Sequence, residues 1–164
     1  MPDWQAEAII LSVRPHGEGS AVISVLTADY GRHAGLVRGG VSSKMRGIIQ
    51  PGNRVRVSWW ARLSEQLGQM QIELVQSVPA LLLDSPLRLS GVASMCALLD
   101  GALPEREAQP GLFEGSVALL DVIVLDDDNA RWVEGYVRWE LGLLAAVGYR
   151  LDLARCIASG QTSD

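Results

Sequence analysis

The chain has 164 residues, of which 48% are hydrophobic and 20% are charged, a balance typical of a soluble, globular protein with a sizeable core. No apolar run is long enough to cross a bilayer, and the N-terminus does not resemble a secretory signal. The two cysteines are too few for a disulfide framework or a four-cysteine zinc site. These features exclude a secreted disulfide-rich domain, a membrane span and a zinc finger, and two thiols favour a reducing cytosol.

Charge is distributed unevenly along the chain. Residues 1–80 carry eight basic and six acidic side chains and residues 81–164 carry six and thirteen, which gives the net charge of −5. Between Asp29 and Glu65 there is no acidic residue, yet this stretch contains seven Lys or Arg and His33. Such a local concentration of positive charge indicates a polyanion-binding surface, and a solvated basic face without a partner is the alternative.

The first eighty residues predict five short strands, rich in β-branched residues and bounded by turns, over 6–13, 21–27, 32–38, 55–61 and 70–75. In the fifth strand Met70, Ile72 and Leu74 are expected on one face, and the polar residues Gln69, Gln71 and Glu73 on the other. Five antiparallel strands in so short a segment hide their edges best by closing into a small barrel.

The pattern changes near Pro79, and three helices are predicted after it, over about 87–99, 111–125 and 129–147. Asp84 or Ser85 caps the first, and the acidic residues 126–128 favour the start of the third. Gly148 is a suitable left-handed end for the third helix. We therefore predict an α+β protein of two domains, a five-stranded barrel over residues 1–80 and an all-helical domain over 81–164.

The fourth strand carries the sharpest functional pattern. Alternation places Val55, Val57, Trp59 and Ala61 on one face and Arg54, Arg56, Ser58, Trp60 and Arg62 on the other. Cations for phosphates beside a ring for a base are what binding of single-stranded nucleic acid requires. The alternative is that Trp60 packs beneath the helices and the arginines are merely solvated.

Motifs for catalysis are weak in this sequence. The glycine-rich loop 39–47 carries Lys44 and Arg46 but lacks the ending of a nucleotide-binding P-loop, so a flexible basic loop is expected there. His16 and His33 lack a metal-ligand spacing, and no nucleophile-elbow sequence is present. We therefore expect neither an enzyme nor a cofactor, and a hydrolase is the least favoured class.

The third predicted helix presents Arg131 and Arg138 on one face, beside Trp132 and Trp139 on the adjacent one. A basic edge beside an apolar groove suits an acidic, hydrophobic peptide tail, which makes a protein-interaction adaptor the alternative function. The two tryptophans equally fit the domain core, with the arginines paired to nearby glutamates.

Several segments together resemble the bacterial RecO recombination mediators, and the resemblance covers essentially the whole chain. In the first half they are Ala8-Ile-Ile-Leu-Ser12, Gly17-Glu18-Gly19-Ser20, Leu26-Thr27, Gly31-Arg32, Leu36-Val37-Arg38-Gly39, Ser42-Ser43-Lys44 and Gln50-Pro51-Gly52. In the second half they are Gly148-Tyr149 and Leu151-Asp152-Leu153-Ala154-Arg155-Cys156.

The resemblance implies an OB-fold joined to a helical domain in a non-enzymatic, cytoplasmic, nucleoid-associated repair protein of the RecF pathway. Such proteins bind single- and double-stranded DNA and anneal complementary strands. They contact the acidic tail of the single-stranded-DNA-binding protein and, with RecR, help to load RecA. By position, Arg32, Arg38, Lys44 and Arg46 fall on the family's basic surface, and strand alternation adds Arg54, Arg56 and Trp60 as expected DNA-binding residues.

One departure from the family concerns zinc. Many members carry a zinc-binding cysteine cluster after the helices, and Cys156 stands at its first position. Position 159 is Ser and no further cysteine follows before Asp164, so zinc is not expected here. Because family chains usually continue further, we expect the C-terminal zinc-finger-like part to be absent or cut short.

Overall fold

The computed structural model describes residues 3–126 and 128–149, in which a β-barrel precedes a group of helices. The elements are β1 (Trp4–His16), β2 (Ser20–Thr27), β3 (Gly31–Arg38), α1 (Ser43–Arg46), β4 (Arg54–Trp60), β5 (Gln69–Gln76), α2 (Val78–Leu81), α3 (Pro86–Ala102), α4 (Pro110–Leu125) and α5 (Asn129–Ala146). The predicted order of five strands and three longer helices is confirmed. The short helix α1 lies in the stretch predicted as a basic loop, and α2 was not predicted.

The five strands close in the order β1-β2-β3-β5-β4, with β4 returning to β1. This closed five-stranded barrel is the OB-fold, so the predicted α+β class and barrel architecture are confirmed. The expectation of a wholly antiparallel set is wrong at one seam, because β3 and β5 run parallel and share only the pair Leu36–Gln69. The Leu36 amide donates to the Gly68 carbonyl at 3.0 Å beside this pair.

Alternation along the strands fills the barrel as predicted for β4. Val55, Val57 and Trp59 are buried inside it, and Met70 lies opposite Trp59 on β5. Leu74 is 39% exposed instead of buried, next to an irregularity in the β4–β5 register. The barrel therefore has its own apolar interior, distinct from the core beneath the helices.

A bulge in β1 joins the barrel to the helices. Ile10 pairs with Val25 and Ser12 with Ser24, which leaves Leu11 as the extra residue. A bulge re-aims a side chain, and here Leu11 points outward like Ile9. Together with Leu26 they enter the core formed by the helices, so two adjacent strands are apolar on both faces.

Glycine lets the helices approach the barrel closely. A Cβ at Gly52 would lie 2.3 Å from Cγ1 of Val92 on α3, and Gly52 also has a positive φ of 92°. The Cys96 thiol donates to the Ile10 carbonyl at 3.5 Å on the same contact. Any side chain at position 52 would separate α3 from β1.

The helices begin and end with the predicted caps. The Ser85 hydroxyl accepts from the Arg88 amide, and the Asp128 carboxylate accepts from the Ala130 amide. Gly148 has a φ of 99° and ends α5. Arg88 binds the carbonyls at the end of α4, including Ile123 at 3.1 Å, where its charge complements the helix dipole.

The link between α3 and α4 packs on the barrel, although its polar sequence predicted only a connection. The Arg106 amide donates to the Arg32 carbonyl at 2.7 Å, so the link extends the free edge of β3. The Arg106 guanidinium donates to the carbonyls of Ser64 and Gln66 and lies 5.5 Å from the Trp59 ring. Gly31 makes room for the link, because a Cβ there would lie 1.9 Å from the Glu107 oxygen.

Within the described residues, no helix combines the length and the hydropathy needed to cross a membrane.

We predict that Cys96 is inert to thiol reagents in the folded protein. Its side chain is buried between α3 and β1, and burial raises the pKa of the Cys96 thiol to about 12. At pH 8 roughly one thiol in ten thousand is then ionised. In a Cys156→Ser variant, chromogenic thiol titration is expected to give no reaction under native conditions and one equivalent in denaturant. Rapid native reaction would contradict this packing.

Candidate nucleic-acid interface

Two of the predicted DNA-binding arginines contact the helical half. Arg32 donates to the Leu103 carbonyl at 2.8 Å and pairs with Asp100 at 3.4 Å and Glu105 at 3.8 Å. Arg54 pairs with Asp121 of α4 at 3.3 Å. Their side chains are 19% and 25% exposed. Both guanidinium groups are therefore committed to holding the helices against the barrel.

Arg56 is exposed but lies between acids. It pairs with Glu73 of β5 at 3.8 Å, and Glu7 of β1 is opposite it on the other side. The outer face of β4 thus does not present the continuous ridge of free cations expected from alternation. The C-terminal end of β4, at Trp60, pairs with Gln69 of β5 and belongs to a different part of the barrel surface, described below.

Arg38, Lys44 and Arg46 lie together near one end of the barrel and are exposed. Arg38 ends β3 opposite Ser20, beside the turn between β1 and β2, and α1 follows a few residues later. The buried Asn53 side chain donates to the Ile48 carbonyl at 2.8 Å and fixes the return from this loop. None of the three cations forms an ion pair with a residue that the structure describes.

A mixed apolar and basic row crosses the outer face of the barrel near these cations. Its members are neighbours by strand pairing: Arg14, Val22, Leu36, Gln69 and Trp60. At about 4.8 Å between strands, the row spans roughly 20 Å. We call this row, with Arg38 and Arg62 on either side of it, the β3–β5 face.

Arg14 and Arg62 are the cations that the sequence-based site omitted. Arg14 is exposed on β1, and Arg62 is exposed just beyond Trp60. Alternation had already placed Arg62 on the Trp60 face of its strand, but the pairing of Arg14 with Val22 depends on the register across the β1–β2 turn. That register was not readable from the sequence.

Two depressions flank the β4–β5 loop on this face, and Leu67 lines both. One, of about 360 Å³, is lined by Leu36, Trp60 and Arg62 among others. The other, of about 560 Å³, includes Arg14 but also Glu65, Glu105 and Arg106. Trp60 is half-buried in the first depression, whose lining comes from the strands and this loop, and it does not pack beneath the helices.

An aromatic cluster fills the barrel behind the β4–β5 loop. Trp4 stacks on Tyr30 with centroids 4.3 Å apart, and His33 meets the Trp4 and Trp59 rings edge-on. Burial lowers the pKa of His33 and the nearby charge of Arg106 acts in the same direction, while a hydrogen bond to the Ala34 carbonyl and the charge of Glu105 oppose the shift. His33 is thus a neutral core residue near pH 7.

Both arginines predicted to bind a peptide lie on α5, which packs against α4. A groove of about 510 Å³ is floored by small residues of both helices and edged by Arg138, whose guanidinium also binds Glu134 at 2.8 Å. Trp132 and Trp139 are buried core residues, and Trp139 donates to the Ser116 hydroxyl at 2.8 Å. Arg131 is exposed on the first turn of α5, outside this groove.

No cluster of three or more metal-ligating side chains is present within residues 3–126 and 128–149. Cys156 and Ser159, on which the expectation about zinc rests, lie outside the described residues.

These features define a class of protein: an OB-fold barrel fused to a helical domain, with a half-buried ring and cations that pair with no described acid on one barrel face. Two family models match the chain, "Recombination protein O N terminal" over residues 1–78 and "Recombination protein O C terminal" over 83–164. The chain belongs to the RecO family.

Curated relatives named DNA repair protein RecO match nearly the whole chain. The protein from Rhodospirillum centenum is 50% identical, over 99% of this chain and 63% of its own length. Those from Jannaschia sp. and Rhodospirillum rubrum are 46% and 42% identical, over 99% and 100% of this chain and 65% and 66% of theirs. The chain thus spans just under two thirds of the length of these relatives.

Stability is predicted to fall as the pH drops below about 6.5. The unfolded chain protonates His33 near its ordinary pKa of 6.5, whereas the folded protein resists protonation because the pKa of His33 is lowered by burial. The unfolded state therefore binds more protons in this window, and the free energy of unfolding decreases with falling pH. Urea titrations between pH 7.5 and 5 are expected to show a shallower dependence in a His33→Phe variant. An identical pH dependence in both proteins would exclude His33 as its source.

Proposed function

We propose that this chain is a DNA-binding recombination mediator in DNA repair, acting without catalysis, and that the β3–β5 face and the loop carrying α1 contact DNA. Family membership supports the repair role, since the relatives are named DNA repair proteins. The observation that carries the DNA-binding part is the set of exposed cations on and beside the β3–β5 face that are not paired with acids among the described residues. The set comprises Arg14, Arg38, Lys44, Arg46 and Arg62.

This surface suits binding without sequence preference. Lysine and arginine side chains neutralise phosphates whatever the base sequence, and a ring accepts any base on its face. A protein that holds a single strand by its backbone in this way leaves base edges free, which is what annealing of a complementary strand requires. We extend the proposal to annealing and to loading of RecA together with RecR, as the family resemblance implies.

Arg32 and Arg54 are assigned a structural role in this proposal, and Arg56 a minor one. The first two neutralise Asp100 and Asp121 of the helical half, and the third lies between Glu7 and Glu73. An arginine that already satisfies a carboxylate gains less from a phosphate and releases fewer counterions. The DNA-binding set therefore narrows to the unpaired cations and Trp60.

Replacing Arg38 by Ala is predicted to weaken binding to single-stranded DNA and to flatten its salt dependence. Removing one phosphate-binding cation lowers the slope of log affinity against log salt by about 0.7 for a single strand. Arg56→Ala is the matched control, because it removes an exposed arginine of the same barrel that is flanked by acids. Fluorescence anisotropy of a labelled oligonucleotide across a salt series measures the affinity of each variant and the slope of its salt dependence. Equal slopes for Arg38→Ala and the unmodified protein would place the DNA elsewhere.

The groove between α4 and α5 supports a second function, capture of the acidic tail of the single-stranded-DNA-binding protein. Its floor is apolar and built from residues such as Gly115 and Ala118, and Arg138 stands at its edge. An apolar terminal residue fits the floor while acidic residues face the guanidinium. Binding of such a tail in this groove is what the alternative function, a protein-interaction adaptor, requires.

Gly115→Leu is predicted to abolish binding of a fluorescent peptide that ends in acidic and aromatic residues. A Cβ at Gly115 meets no atom within 4 Å, so the added side chain occupies the groove without disturbing the helices. Arg138→Glu is expected to weaken binding strongly by charge repulsion, and Arg131→Glu, two turns away, only weakly. Unchanged peptide affinity in Gly115→Leu would remove this groove from consideration.

A further inference from the structure

The depression beside Trp60 offers more than a phosphate-binding surface. Its volume of about 360 Å³ is near the lower end of the range of roughly 300–1,000 Å³ for sites that hold small organic molecules. Its described lining combines an indole ring at Trp60, aliphatic carbons at Leu36 and Leu67, and the exposed guanidinium of Arg62. A flat aromatic group with a nearby negative charge matches this chemistry.

We infer that this depression is a subsite for one unpaired nucleobase of a bound single strand. The inference rests on the proposed function, which supplies the strand. An indole stacks on either purines or pyrimidines, and Arg62, two residues further along the chain, is placed to meet the phosphate that follows. A base in a duplex has both faces covered by its neighbours, so only an unpaired base presents a face to Trp60.

The position of the subsite follows from the weak seam of the barrel. β3 and β5 share only the pair Leu36–Gln69. Because no further side chains pair across this seam, the outer surface there is left with a depression. The β4–β5 loop forms one wall, and Arg106 holds that loop through the carbonyls of Ser64 and Gln66. The wall is thus fixed before any ligand arrives.

Neighbouring acids add to the discrimination. Glu65 and Glu105 line the adjacent depression, on the far side of Leu67. Arg14 and Arg106 line the same depression and balance these two acids, so it does not attract a second phosphate backbone, whereas Arg62 lines the depression beside Trp60 with no acid in its lining. The β3–β5 face therefore selects single strands chiefly by a ring that needs an exposed base.

The test compares three probes of equal length: an oligothymidylate, an abasic strand with the same phosphates, and a blunt duplex. The unmodified protein is expected to bind oligothymidylate roughly 5- to 150-fold more tightly than the abasic strand, as one stacked base provides. Trp60→Ala is expected to remove that ratio, because the variant keeps the cations that bind the phosphates of both strands and lacks the ring that binds the base. Trp60→Phe, which keeps a ring, is expected to retain part of the ratio.

The outcomes separate this inference from the proposed function. If no probe binds the unmodified protein, the DNA-binding proposal itself is overturned. If all three bind and the thymidylate-to-abasic ratio persists in Trp60→Ala, DNA binding stands and the base subsite is overturned. Should Trp60→Ala fail to fold, judged by its thermal melt, Trp60→Leu decides instead, because it keeps apolar volume and lacks a ring. Loss of the ratio in that variant supports the subsite, and its persistence overturns it.

Discussion

The seating of the helices on the barrel determines what the rest of the molecule can do. Ile9, Leu11 and Leu26 are outward-facing strand residues that are buried only because α3 and α4 cover them. Around this apolar contact, Arg32 and Arg54 reach acids of the helical half. The same contact that completes the core therefore pairs Arg32 and Arg54 with acids, whereas Arg14, Arg38 and Arg62 form no ion pair with a described residue.

This division gives a physical account of how an acidic protein could present the surface that we propose to bind DNA. The net charge of −5 describes the whole chain, whereas a phosphate experiences mainly charges within about 8–10 Å at physiological salt. Beside Trp60, Arg62 lines the depression and forms no ion pair with a described residue, and the Asp3 carboxylate accepts from the neighbouring Ala61 amide at 2.9 Å. The acids of the second half are partly used as ligands for Arg32, Arg54 and Arg88 and so contribute little to that local field.

Local patterns were sufficient to predict most of the fold. Alternation in β4, the cap at Ser85 and the turn at Gly148 depend on residues close in the chain, and each prediction was confirmed. The site was harder, because the ion partners of Arg32 and Arg54 are 68 and 67 residues away and no local pattern reports them. The parallel seam at Leu36 and the exposed Arg14 depend on strand register, which short hydrophobic runs do not specify. The bulge at Leu11 could not be predicted, because it lies in a continuous apolar run. In such a run the sequence does not indicate which residues face the barrel interior and which face outward.

The link 103–107 shows how misleading an irregular segment can be to anyone who wishes to modify this protein. Its charged, non-helical stretch looks like a convenient place for an affinity tag or for new termini in a circular permutant. Yet it adds a strand-like edge to β3, and Gly31 is pressed against its backbone. The turn between β1 and β2 is shorter than the link but tolerates a tag or new termini better, because an added Cβ at Gly19 meets nothing within 4 Å.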